Sequence, residues 1–96
     1  MRFKLERVSA EYGAQMGRKN ILPENRTKIV KLYLEKMDMV DEDYDNGGCY
    51  WGGGTEDKMY VAYDFAENIT LFIRGRNRRE AKEEVINHLP NAKFFR

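Results

Sequence analysis

Five of the eight residues from Gly47 to Gly54 are glycine, and the other three, Cys49, Tyr50 and Trp51, include the only cysteine and the only tryptophan of the chain. Glycine gives up more backbone freedom on folding than any other residue, so a run this dense belongs where positive φ or close backbone approach is required. The stretch from Tyr44 to Thr55 is therefore a loop that the rest of the chain is organised around. Large aromatic rings held between glycine hinges have two uses. They plug the domain's own core, or they present a flat, amphipathic surface to a partner. Both remain open on the sequence, and in the second case Tyr44, Asp45, Tyr50 and Trp51 are the residues a partner meets.

With 96 residues, 42% hydrophobic and 34% charged, the chain has material for one domain with a single modest core. One cysteine cannot form an internal disulfide, so nothing points to an oxidising compartment. Met1 to Glu6 alternates apolar and charged residues without a continuous apolar run, and neither a signal peptide nor a membrane span is expected. The expectation is a soluble, cytoplasmic protein with no membrane partner.

The formal net charge of +1 conceals a partition along the chain. Residues 1 to 36 hold nine Lys/Arg against four Asp/Glu, residues 37 to 67 one against nine, and residues 68 to 96 seven against three. If the two basic thirds meet in the fold, the surface is dipolar and can steer an acidic partner to one face. If the acidic third pairs with them internally, that field is lost.

In chain order, Arg2 to Val8 reads as a first strand, with Phe3 and Leu5 on one face. Ser9 to Asn25, punctuated by Gly13, Gly17, Asn20 and Pro23, reads as a long loop carrying Arg18 and Lys19. Thr27 to Met39 fits a strand, with Val30, Leu32 and Leu34 inward, and also a helix at spacings of three and four. The clean two-residue alternation and β-branched Ile29 and Val30 favour the strand. Lys58 to Phe65 and Ile69 to Arg74 alternate clearly and, joined by Ala66, Glu67 and Asn68, form a β-hairpin. With Val61 and Leu71 turned to the core, Tyr60, Phe72 and Tyr33 lie on the opposite face with Arg74. Such a surface stacks bases in single-strand nucleic-acid binders, or else lies covered by the Trp51 loop.

Asp41, Asp43 and Asp45 lie two apart, like the opening of a calcium loop. The match stops there, because Asn46 and Gly52 stand where that loop requires glycine and a bidentate glutamate. A solvated acidic loop is the better reading, and no metal is expected.

Asn77 to Leu89 reads as a helix, with Asn77 as N-cap, Glu80 three residues on, and an apolar stripe of Ala81, Val85, Ile86 and Leu89 ended by Pro90. Arg74, Arg76, Arg78 and Arg79 surround its N-terminus, where the helix dipole disfavours cations. Guanidinium forks and free amides converging there suit an anion, and a solvated basic turn partly neutralised by Glu80, Glu83 and Glu84 is the other reading. Ala92 to Arg96 returns as a last short strand, with Phe94 or Phe95 in the core.

The run Tyr44-Asp45-Asn46-Gly47-Gly48-Cys49-Tyr50-Trp51-Gly52-Gly53-Gly54 resembles the Tyr-Asp-x-Gly-Gly-x-Tyr-Trp-Gly-x-Gly motif of a group of short bacterial, phage and plasmid proteins. Met16-Gly17-Arg18 before it, and Phe72-Ile73-Arg74, Arg79-Glu80-Ala81-Lys82 and Pro90-Asn91-Ala92-Lys93-Phe94 after it, extend the resemblance over most of the chain. It implies no activity. It implies a setting, an accessory protein of the kind mobile elements carry, where small binders that inhibit or redirect larger host machines are common.

Enzyme chemistry finds little to stand on. His88, the only histidine, falls on the last turn of the helix, where it suits the dipole. Cys49 has no histidine near it in sequence, so a cysteine-dependent enzyme is the remote alternative. No zinc ligand set or phosphate loop is present, and no cofactor is expected. The expected fold is α+β, an antiparallel sheet of four to five strands with one C-terminal helix packed on one face. The expected function is non-catalytic binding of nucleic acid by Arg74, Arg76, Arg78, Arg79, Arg18 and Lys19, with Trp51 and Tyr50 stacking. The alternative is a protein-binding inhibitor of a host machine that uses the glycine and aromatic loop.

Overall fold

The computed structural model describes residues 3–8, 17–52 and 57–95. Its elements are β1 (Val30–Lys36), β2 (Lys58–Asp64), β3 (Ile69–Gly75), α1 (Arg78–His88) and β4 (Ala92–Phe94). The strands form one sheet in the order β3-β2-β1-β4, with α1 packed on it, an α+β architecture as expected. The sheet is not purely antiparallel. β1 and β2, and β2 and β3, pair antiparallel, whereas β4 joins the outer edge of β1 in parallel. β3 and β4 consequently run the same way, and α1 carries the chain between them over two intervening strands.

The β2–β3 hairpin forms where alternation is cleanest. It turns over Phe65 to Asn68, closed by the Asn68 amide donating to the Phe65 carbonyl at 3.2 Å. Asn68 has φ of 53°, a left-handed conformation that asparagine tolerates better than most side chains. Helix α1 starts at Asn77, whose side chain accepts from the Glu80 amide. Ala81, Val85 and Leu89 are buried, while Ile86 is exposed.

Two cores sandwich the sheet. Under α1 lie Val30, Leu32, Leu34, Tyr60, Ala62, Ile69, Leu71, Ile73, Ala81, Val85, Leu89 and Ala92. On the other face lie Met37, Cys49, Trp51, Met59, Val61 and Tyr63, flanked by Phe3, Leu5, Val8, Tyr33, Met39 and Phe72. Each fully buried large apolar side chain contributes about 1.5–3 kcal/mol, so both layers count. The hairpin register pairs Val61 with Phe72 and Ala62 with Leu71, which places Val61 and Leu71 on opposite faces and Tyr60 beside Leu71. The expected grouping of Tyr60 with Phe72 is thereby corrected. β2 is apolar on both faces, so its alternation carried no phase.

The expected first strand is also corrected. Phe3 to Val8 has no regular structure and serves as cover. The Phe3 ring lies 5.0 Å from that of Tyr63, the Phe3 amide donates to Glu35 Oε2 at 3.1 Å, and the Val8 amide donates to the Gly47 carbonyl at 2.9 Å. Arg2, the 9–16 part of the expected long loop, and Arg96 lie outside the described residues. The described part of that loop lines the outer edge of β3: Ile21 exchanges two backbone bonds of 2.7 and 2.9 Å with Thr70, and Asn20 Oδ1 accepts from the Phe72 amide. No helix among the described residues is long and apolar enough to cross a membrane.

Candidate functional site

The loop after β1 is built on Asp45. Its Oδ1 accepts from Arg18 Nη2 at 2.8 Å and from the amides of Gly47 and Cys49 at 2.8 and 3.1 Å. Its Oδ2 accepts from Arg18 Nε at 2.7 Å and from Trp51 Nε1 at 2.9 Å. The carboxylate has no exposed surface. Burial works to raise the Asp45 pKa, but the Arg18 fork, the Trp51 indole and the Cys49 amide outweigh it and hold the carboxyl below its ordinary value. Arg18 is correspondingly raised, chiefly by its bonds to Asp45.

The glycines here are specific requirements. Gly17 has φ of 74°, and a Cβ there would stand 3.1 Å from the Trp51 ring. A Cβ on Gly47 would collide with the Glu6 carbonyl and with Arg18 Nη2. Trp51 is buried under this arrangement, its ring 5.6 Å from that of Phe72, so it fills the core. Tyr44 and Tyr50 remain nearer the surface, their rings 5.2 Å apart. Cys49 is fully buried, and burial followed by the Asp45 charge pushes its thiol pKa up. A thiolate nucleophile needs the reverse. The alternating aspartates do not converge: Asp41 Oδ1 accepts from the amides of Asp43 and Tyr44, while Asp45 turns inward. Among the described residues no group of three or more His, Cys, Asp or Glu could hold a metal.

The helix N-terminal arginines go to different destinations. Arg74 shares the loop-covered face with Tyr33 and Phe72, and its guanidinium donates to the carbonyls of Trp51 and Gly52. That face is therefore not an open stacking platform. Arg76 pairs with Glu80 at 3.1 Å. Arg78 donates to the carbonyls of Leu34 and Phe95 at 2.5 and 3.4 Å. Arg79 and Lys19 are exposed.

A second locus was not foreseen. β4 ends after three residues while β1 continues, leaving an open cleft of about 600 Å³ lined by Tyr33, Leu34, Glu35, Arg78, Lys82, Phe94 and Phe95. The Phe95 ring stacks on Tyr33 at 4.3 Å with 18° between planes, and Lys31 Nζ lies 4.5 Å from its centroid. Lys82 Nζ lies 5.4 Å from the Phe94 centroid. Lys31 and Lys93 are exposed register partners on neighbouring strands. Among the described residues, Lys31, Arg78, Arg79, Lys82 and Lys93 form no ion pair. The Glu35 carboxylate is engaged by the Phe3 amide and the Tyr63 hydroxyl. Lys93 followed by Phe94 and Phe95 on the short C-terminal strand was the available signal, but only the fold brings Lys31 and Lys82 to those aromatic rings.

No protein-family model matches the chain, and neither a curated protein nor a solved structure matches it.

Proposed function

We propose that this chain is a non-catalytic nucleic-acid-binding module, an accessory protein by role, whose contact surface is the cleft between β4, β1 and the first turns of α1. The observation that carries the reading is the pairing of aromatic rings with lysines that form no ion pair among the described residues. Lys31 lies over Phe95 and Lys82 over Phe94 along one open edge. Single strands are held by this combination, with cations tracking phosphates and rings accepting bases at about 1–3 kcal/mol per stacked base. Arg78 spans the cleft, and Arg79 and Lys93 extend the positive surface beyond it, while Arg76 is offset by Glu80. Arg18 and Arg74, engaged inside the protein, act as supports in this reading.

The test is an anisotropy titration of a fluorescein-labelled oligothymidylate, with the label on the strand because Trp51 is buried. Saturable binding that weakens on raising salt, with a log–log slope near −0.7 per phosphate neutralised, is the expected result. Lys31→Ala/Lys82→Ala/Lys93→Ala should weaken binding and flatten that slope. Absence of saturable binding at low salt by the folded wild type rejects the reading.

A further inference from the structure

We propose that a second surface, the groove between the Phe3–Val8 segment and the Val40–Gly48 loop, docks a Lys/Arg-rich extended segment of a partner protein. The groove has a volume of about 530 Å³, with Leu5, Val8, Val40 and Tyr44 in its walls and Arg7 and Asp41 among its lining residues. Val40 is 69% exposed and Tyr44 39%, two large apolar groups left at the surface within five residues of each other. Scattered apolar residues need no explanation, but two lining one groove do.

Charge selects the occupant. Asp38, Asp41 and Glu42 are exposed and Asp43 half-buried, and among the described residues none of the four forms an ion pair. Within the lining Arg7 offsets Asp41 and Arg18 offsets Asp45, so the surplus negative charge comes from Asp38, Glu42 and Asp43 on the same loop. A lysine or arginine can lay its methylene stem along Val40 and Tyr44 and deliver its head to these carboxylates. A phosphate chain is repelled from the same place, so this occupant is a different ligand from that of the β4 cleft, and the inference does not rest on the nucleic-acid reading.

The groove is also preformed. The Val40 amide donates to the Tyr44 carbonyl at 2.9 Å and the Asn46 amide to the Asp38 carbonyl at 3.0 Å, while Val8 is tied to Gly47. A surface already held in shape loses little ordering entropy on binding.

The experiment uses a short fluorescein-labelled peptide of alternating arginine and leucine, titrated with the full chain, and a glutamate-for-arginine peptide as control. Saturable binding of the basic peptide alone is expected. Glu42→Gln/Asp43→Asn and, separately, Val40→Ser should each weaken it by about tenfold, the effect of losing about 1.4 kcal/mol at a contact. All three side chains lie away from the fully buried core, and circular dichroism verifies the fold of each variant. Lys31→Ala/Lys93→Ala should leave peptide binding unchanged. The proposal is overturned by the absence of saturable binding, by a loss confined to the charge variant, which means diffuse attraction without the groove, or by a loss in Lys31→Ala/Lys93→Ala. It is equally overturned if sedimentation shows self-association abolished by Val40→Ser, which makes a second copy of this chain the occupant.

Discussion

Arg18 grips the carboxylate of Asp45, 27 residues further on, through two bonds of 2.7 and 2.8 Å, and both side chains are withdrawn from solvent. The pair joins the segment that precedes β1 to the glycine loop, and through the Trp51 indole it reaches the sheet. Part of the basic first third of the sequence is thus neutralised by the acidic middle third. Lys28 with Glu67 repeats that pairing at the surface.

Removing one member of this pair strands a buried charge. Arg18→Met and Asp45→Ala should each destabilise the fold by about 3–5 kcal/mol, measured by urea denaturation. Arg18→Met/Asp45→Asn removes both charges and keeps an acceptor for Trp51, so it should be more stable than Arg18→Met alone. Additive losses among Arg18→Met, Asp45→Asn and this double variant would mean that the pair is not coupled.

Acid should act through the same carboxylate. The folded pKa of Asp45 is lowered, so as pH falls below about 3.9 the unfolded chain takes up a proton there before the folded chain does. The stabilisation is complete above that pH and is lost as pH falls through the depressed folded value. The stability profile of Asp45→Asn should therefore be flatter below about pH 4 than that of the wild type.

Neighbouring glycines separate two causes of strain. At Gly47 an added methyl meets the Glu6 carbonyl, a backbone atom that cannot swing aside, and Gly47→Ala should cost at least the about 1–3 kcal/mol of an overpacked site. At Gly48 the nearest atom to an added Cβ is 3.8 Å away, and the penalty comes from φ of 86° alone, about 1–2 kcal/mol. Thermal melts of the two variants should rank Gly48→Ala above Gly47→Ala.

Cys49 should be silent in the folded protein. With its thiol buried and its pKa raised, reaction with a disulfide reagent should be slow under native conditions and rapid in denaturant. Rapid native labelling would mean that the loop opens to solvent.

The readable parts of the fold were the ones whose signals are local. Alternation in Ile69 to Arg74 and the Asn77 cap with Glu80 need only neighbouring residues, and both elements formed where expected. The parallel pairing of β4 depends on where α1 delivers the chain, which no local pattern encodes. The candidate site was hidden for the same reason. Arg78 finds its acceptor at Leu34, 44 residues away, and Asp45 is indistinguishable by composition from the solvated Asp41 until Arg18 and Trp51 close on it. The glycines announced a close-packed loop, though not which aromatic ring would lie within it.

The Arg18–Asp45–Trp51 junction has a consequence for the order of folding. The hairpin and helix join residues close in sequence, whereas this junction must close a 27-residue separation between segments without regular structure. Such a closure belongs late on the pathway, after the hairpin and α1 have built a surface for Trp51 to cover. Weakening it should then leave the refolding rate nearly unchanged and accelerate unfolding, so the acidic loop acts as a latch on the lifetime of the native state.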